Sequence, residues 1–219
     1  MIERIYAKPD WRENRQEILC EAMASITLAA LVSATPDGLK ITHLPLSVRP
    51  QTDGSVRLAG HFARANDHWK LLRDGNLPTV AIFQGPHTYI SPSNYETKKE
   101  TGKVVPTWAY IVVHAHGQPR VMDDRDWMLA LVNELTDQRE APRTDTWKVS
   151  DAPDDYIEVM LRGIVGIELE VEQLEGVWKL NQHRSTQDRH STVTGLASSG
   201  SEQDRAIGEA MQEILNGSS

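Results

Sequence analysis

The chain has 219 residues, 39% hydrophobic and 25% charged, and a formal net charge of −8. This is ample apolar material for a core and the wrong charge for a protein held on nucleic acid by counterion release; with no block of Lys and Arg either, direct DNA binding is not expected. The single cysteine, Cys20, excludes an internal disulfide and any iron–sulfur site, and no apolar run approaches the ~20 residues of a membrane-spanning helix.

The N-terminus carries acids early and lacks an apolar signal core, so a cytoplasmic protein is expected. Asp10, with Glu13 three residues on, has the form of a capping box. It predicts a helix to about Ser25, with Trp11, Ile18, Leu19, Ala22 and Met23 on one face. Ile26–Ala34 is a continuous apolar run and reads as a buried strand. Pro36-Asp37-Gly38 turns the chain into a returning strand, Leu39–Val48, and Pro50–Gly54 turns it again. Val56, Leu58, Gly60 and Phe62 alternate with Arg57, Ala59, His61 and Ala63, which is strand periodicity. Asn66 caps a short helix to about Arg73. Strands are then expected at Pro78–Gln84 and His87–Ser91, separated by Gly85-Pro86, with a mobile loop over Pro92–Lys103.

Trp108–Gly117 is the clearest strand. Trp108, Tyr110, Val112, His114 and His116 share one face, and Ala109, Ile111, Val113 and Ala115 the other. Asp123 is expected to cap a helix bearing Trp127, Leu131 and Leu135. A polar connection follows, then a short helix over Asp154–Leu161 ending at Gly163, and a strand over Ile164–Leu174. Glu175-Gly176 reads as a turn into Val177–Leu180, and Gln182–Ser201 as a polar stretch. Ile207, Met211, Ile214 and Leu215 mark a terminal amphipathic helix. Turn-linked strands around one core indicate a barrel or sandwich, not an alternating parallel sheet. With no linker in view, one domain over 1–219 is expected, with helical insertions and a C-terminal helix.

The glycine-rich nucleotide loops, the nucleophile elbow and H-E-x-x-H are all absent. More specific are four strings: Ile41-Thr42-His43-Leu44-Pro45-Leu46, Gly60-His61-Phe62-Ala63-Arg64-Ala65-Asn66, Phe83-Gln84-Gly85-Pro86-His87-Thr88-Tyr89-Ile90-Ser91-Pro92 and Gly102-Lys103-Val104-Val105-Pro106-Thr107-Trp108-Ala109-Tyr110. With His114-Ala115-His116-Gly117 and Trp178-Lys179-Leu180-Asn181-Gln182, they resemble the signature of the PaiB-type proteins, usually described as FMN-binding negative transcriptional regulators. The resemblance runs from about Trp11 to about Leu215, with Ala109 standing where a polar Asn is expected.

It implies a mainly β, α+β fold: an antiparallel six-stranded split β-barrel similar to pyridoxamine-phosphate oxidase. It further implies a homodimer with FMN at the subunit interface. By that likeness the strand Thr42–Leu46 runs along the flavin ring and Arg64-Ala65-Asn66 grips its phosphate. Pro45 inside a strand argues for an edge or bulged position; an edge would leave free backbone groups at Thr42, His43 and Leu44 that could meet the flavin's pyrimidine. Arg64 offers a guanidinium fork and Asn66 a helix start. Lys103 and Thr107 could add charge and a hydroxyl. His61, Trp108 and Gln182 lie within the family-like strings, where Trp108 could stack on a ligand or simply pack.

His114 and His116 have a spacing that could hold a metal, but no third ligand can be placed, and barrel histidines bonded to neighbours are the simpler reading. No metal and no catalytic residue are assigned. Three functions stay open: an FMN-binding transcriptional regulator or redox sensor, an FMN-dependent oxidoreductase acting on a small molecule or NAD(P)H, and a haem-binding split barrel.

Overall fold

The computed structural model describes residues 5–217 apart from Gly75. Seven strands form among them: β1 (Arg12–Glu13), β2 (Leu28–Thr35), β3 (Gly38–Pro50), β4 (Val56–Ala63), β5 (Thr79–Ile90), β6 (Thr107–Met122) and β7 (Ile164–Lys179). Seven helices accompany them: α1 (Gln16–Ile26), α2 (His68–Asp74), α3 (Thr97–Thr101), α4 (Arg125–Glu140), α5 (Asp154–Arg162), α6 (Thr186–Ala197) and α7 (Glu202–Gly217). The sheet order is β1-β7-β4-β3-β2-β5-β6, with a further β6–β7 pairing that closes it. The fold is therefore α+β on an antiparallel sheet, with seven strands where six were expected. The extra one is the two-residue β1, which pairs with Val177 and Gly176 of β7. No described helix is long and apolar enough to cross a membrane.

Contacts divide the chain into two compact units, one of residues 1–15, 84–113 and 175–219, the other of 16–83 and 114–174. In the second unit the inward faces follow the pleat. Register sets Ala29 opposite Leu44 and Leu31 opposite Thr42, then Leu46 opposite Gly60 and Gly60 opposite Ile167. Gly60 is required, since a Cβ there would stand 2.7 Å from the Pro45 carbonyl oxygen. On the outer face of β4, Ala59 is buried with Met128, Leu131 and Leu161 of α4 and α5. Helix α4 is capped by Asp124, whose carboxylate accepts the Trp127 N–H at 2.8 Å. The expected cap, Asp123, is instead paired with Arg64. Helix α1 begins at Gln16, not at Asp10, because Pro9–Trp11 forms a 3-10 turn that leads into β1.

The first unit is built on Ile90, Tyr95, Ala109, Ile111, Leu180, Leu196, Ile207 and Met211, with Ala7, Trp11 and Val177 forming a smaller cluster. Here four local signals misled. Strand β5 runs unbroken through Gly85-Pro86, and β7 through Glu175-Gly176, where Gly176 is held by Glu13 of β1. Residues 92–103 are not a free loop: they carry a 3-10 turn and α3, and Asp188 pins them by accepting the Thr97 N–H at 3.0 Å and its hydroxyl at 2.7 Å. The polar stretch Gln182–Ser201 contains α6, which turns Asp188 and Thr192 inward.

Candidate functional site

Strand β3 changes partners along its length. It pairs with β2 from Gly38 to Pro45 and with β4 only from Leu46 to Pro50, so the edge facing away from β2 between Leu39 and Pro45 has no β4 partner. Pro45, which has no N–H, sits where the two pairings change over. The edge expectation for Thr42, His43 and Leu44 thus has a structural basis. Leu44 is buried at 2% exposure and His43 points outward, beside exposed Ile41.

Thr42 points inward and joins a hydrogen-bond chain whose direction can be worked out. Thr79 Oγ1 donates to the Leu77 carbonyl at 2.9 Å, so it accepts from Ser33 Oγ at 2.8 Å. Ser33, its own proton committed, accepts from His68 Nε2 at 3.0 Å. His68 is therefore the Nε2–H tautomer, and its Nδ1 accepts from Thr42 Oγ1 at 2.9 Å. Asn66 Nδ2 in turn donates to Thr42 Oγ1 at 3.1 Å, while Asn66 Oδ1 accepts the His68 N–H at 3.0 Å. His68 is fully buried. Burial and the nearby Lys40 charge push its pKa down to about 4, so the imidazole is neutral. Every hydroxyl in the chain has one acceptor and one donor; an imidazolium would turn Nδ1 into a donor and leave the Thr42 proton without its acceptor.

Arg64 follows β4. Its Nε donates to the Arg162 carbonyl at 2.8 Å, and its Nη2 donates to Asp123 at 2.6 Å and to the Ile164 carbonyl at 3.0 Å. The Arg64 carbonyl accepts the Trp69 indole N–H at 2.9 Å, tying the segment to α2. Beside it lies an open pocket of about 170 Å³ lined by Arg64, Arg125 and Arg162 and by Asp123, Asp124 and Glu158. His61 lies on the outer face of β4; its Nδ1 is buried without a partner and desolvation lowers its pKa.

The remaining expected residues belong to the first unit. Trp108 is 49% exposed and stacks on His87 with ring centroids 5.9 Å apart, its indole N–H donating to His87 Nδ1 at 3.3 Å. Tyr89 stands 6.3 Å from the same ring. Thr107 is half-buried where β6 begins, and Lys103 is exposed. The Gln182 amide folds back on its own turn, accepting the Leu180 N–H at 2.8 Å and donating to the Trp178 carbonyl. In short, the structure brings Thr42 and Asn66 together in the second unit, and Trp108 together with His87 and Tyr89 in the first.

Comparison with known proteins places this geometry. A family model described as "Putative FMN-binding domain" matches residues 5–173. The chain belongs to this FMN-binding family. A Bacillus subtilis relative named protease synthase and sporulation protein PAI 2 is 29% identical, covering 84% of this chain and 86% of its own. An uncharacterised protein of Aspergillus fumigatus is 31% identical over 92% and 90% respectively. Among solved structures, a conserved hypothetical protein from Mycobacterium tuberculosis shares the fold with a TM-score of 0.56 at 13% identity, covering 83% of this chain and 94% of its own. The flavocytochrome Anf3 from Azotobacter vinelandii does so with a TM-score of 0.54 at 11% identity, covering 84% and 78%. The PaiB-type resemblance and the split barrel both stand, and FMN is the cofactor.

The residues fit such a group. In the second unit the β3 edge beyond its β4 pairing offers backbone donors and acceptors; in the first, taken by itself, the exposed indole of Trp108 offers an aromatic face. Sequence reading missed His68, Ser33 and Thr79. The signal was a serine, Ser33, near the end of the apolar run Ile26–Ala34, which in a buried strand needs a polar partner.

Proposed function

We propose that this protein is an FMN-dependent redox sensor or transcriptional regulator of the PaiB type, acting in the cytoplasm as a homodimer. The supporting observation is the β3 edge at Thr42–Leu44 lying against a side-chain network whose hydrogen bonds are all internally matched. Bound FMN supplies one- or two-electron transfer. The chain's own part is orientation. The Thr42, Asn66 and His68 side chains hold one another, fixing the edge without offering a proton for transfer. Arg64 and Asn66 are assigned to the phosphate, which Arg64 reaches by exchanging its bond to Asp123. Trp108 is assigned to stacking, with Thr107 and Lys103 beside it in the chain. A regulator with this charge acts through a protein partner or a metabolite, since the acidic balance disfavours contact with DNA phosphates.

The homodimer is supported by an apolar outer sheet face in the second unit. Leu28, Leu39 and Ile41 are 56%, 69% and 52% exposed, and cross-strand neighbours Ala30, Val32, Val80 and Ile82 continue the face. Isolated soluble chains seldom present so much contiguous apolar surface. Ile41→Lys should shift the protein from dimer to monomer in light scattering; an unchanged mass would remove this face from the interface.

The cofactor reading is tested by titrating apoprotein with FMN and recording the visible spectrum, with Arg64→Ala alongside. Quenched flavin fluorescence at about one FMN per chain, weakened about tenfold or more in the variant, is expected for a guanidinium–phosphate contact. Tight binding unaffected by the variant would place the phosphate elsewhere. A Soret band with no flavin would replace the reading with a haem protein, and rapid bleaching by NAD(P)H would favour an oxidoreductase.

A further inference from the structure

The turn after β7 and the start of α6 collect buried polar atoms that nothing among the described residues satisfies. Asn181 is 2% exposed and sits in the left-handed region at φ 62°, a conformation that Asn tolerates better than most residues. Its Nδ2 lies 3.1 Å from the hydroxyl of buried Tyr95, and its Oδ1 has no partner. The Arg184 guanidinium lies over the same tyrosine ring, 4.5 Å from the centroid, and the Arg184 N–H closes the turn on the Asn181 carbonyl at 3.0 Å. Nη2 of Arg184 reaches the Val105 carbonyl at 3.3 Å, but its Nε is buried and unpaired. Arg189, on the first turns of α6, leaves both Nε and Nη2 buried and unpaired.

A buried N–H of a charged group without an acceptor is costly, and native proteins keep few of them. Here three such donors belong to two arginines separated by less than two helical turns of chain. The orphaned acceptor resolves in the same direction. Tyr95 can donate as well as accept, so the Asn181 amide turned by 180° takes the tyrosine proton on Oδ1 and presents Nδ2 as a fourth unmatched donor. Lys8, Lys179 and Arg184 together make the field positive enough to disfavour protonation of neighbouring His183, on top of its desolvation. Asp188, whose carboxylate is within the electrostatic reach of Arg184, has its hydrogen bonds taken by the N–H and hydroxyl of Thr97. Donors without acceptors in a positive field call for an oxyanion.

We propose that Arg184 and Arg189, with Asn181, form a binding site for a phosphate group in the first unit, carried either by FMN or by a separate phosphorylated ligand. The probe is inorganic phosphate, added to apoprotein at constant ionic strength with chloride as the balancing anion, and read by thermal unfolding and calorimetry. Phosphate should raise the melting temperature in a saturable manner. Arg184→Met and Arg189→Met should each weaken it at least tenfold, while Lys99→Met, a change at an exposed lysine of the same unit, should not. Arg184→Lys keeps the charge and loses the planar fork, so an intermediate affinity in a folded protein separates binding from folding.

FMN and riboflavin identify the source. If phosphate competes with FMN and Arg184→Met weakens FMN but not riboflavin, the site holds the flavin's own phosphate. If FMN binding is indifferent to both, the site serves a second ligand; it does not need the FMN assignment to be right. A wild-type protein that responds to phosphate no more than to chloride, or a response untouched by both arginine substitutions, overturns the proposal and leaves these donors to ordered water.

Discussion

The two units of this protein treat their polar groups in opposite ways. The second unit carries the entire acidic surplus, with 12 basic and 20 acidic side chains against 11 and 11 in the first. Yet its interior network from Asn66 through Thr42, His68, Ser33 and Thr79 is fully paired, and its unmatched buried atoms, Arg57 Nε and His61 Nδ1, are single atoms on the sheet's outer face. The first unit is balanced in charge but leaves donors and an acceptor unmatched between Asn181 and Arg189. A matched network specifies one fold; an unmatched set needs something the chain does not contain. The matched interior of the second unit is accordingly where substitutions should damage stability, and the unmatched Asn181–Arg189 segment of the first is where they should damage binding more than folding.

The largest effect expected from this contrast is at Gly117 of β6. A Cβ there would overlap the carbonyl group of Glu170 on β7, backbone against backbone, at the pairing that closes the sheet. Gly117→Ala should destabilise the protein by on the order of 4 kcal/mol, because neither strand can yield without losing its ladder. Urea unfolding followed by far-UV circular dichroism measures it. A loss under about 1 kcal/mol would mean that closure contributes little to the second unit.

Acidification gives the next effect, and its sign is fixed by His68. The folded value near 4 lies below the ordinary 6.5, so between those values the unfolded chain binds more protons. The stabilisation is complete above pH 6.5 and is lost as pH falls toward 4, amounting to roughly 3 kcal/mol. His61, lowered by desolvation, adds in the same direction. Denaturant unfolding at several pH values between 7 and 4, on wild type and His68→Gln, separates the terms. The variant should be less stable at neutral pH and less steep on acidification. Equal slopes would show that carboxylates, not the buried imidazole, govern the acid limb.

How much of this was legible depended on whether a signal was local. The alternation in Val56–Ala63 and in Trp108–Gly117 was visible because one face of each strand is buried, and Gly38 marked the β2–β3 hairpin through its own φ of 119°. What failed required a distant partner. Glu175-Gly176 has turn chemistry but stays extended because Glu13 pairs with Gly176, and residues 92–103 look mobile until Asp188 is brought to Thr97. Helix α6 was hidden because its inward face is made of Asp188 and Thr192 as well as Leu196, which erases the apolar period. At the site, the edge character of Thr42–Leu44 followed from Pro45, whereas the engagement of Arg64 by Asp123 and of Thr42 by His68 lay in contacts across 59 and 26 residues.

The smallest effect on folding should be at Trp108, and it gives the sharpest test of the contrast, because the first unit holds two tryptophans in opposite settings. Trp11 is 8% exposed, with Lys8 and Lys179 over its ring at 5.2 and 5.3 Å, and serves packing. Trp108 is 49% exposed and rests against the rings of His87 and Tyr89. Truncating it should change unfolding free energy by less than about 1 kcal/mol, since little apolar area leaves water in the folded state. If its exposed face receives the flavin, Trp108→Ala should weaken FMN and riboflavin alike, by a few-fold, as expected of a stacking contact of about 1 kcal/mol. An affinity loss confined to FMN would reassign the residue to the phosphate end. A loss of stability with affinity intact would make Trp108 a packing residue, and the first unit's part in ligand binding would then rest on its arginines alone.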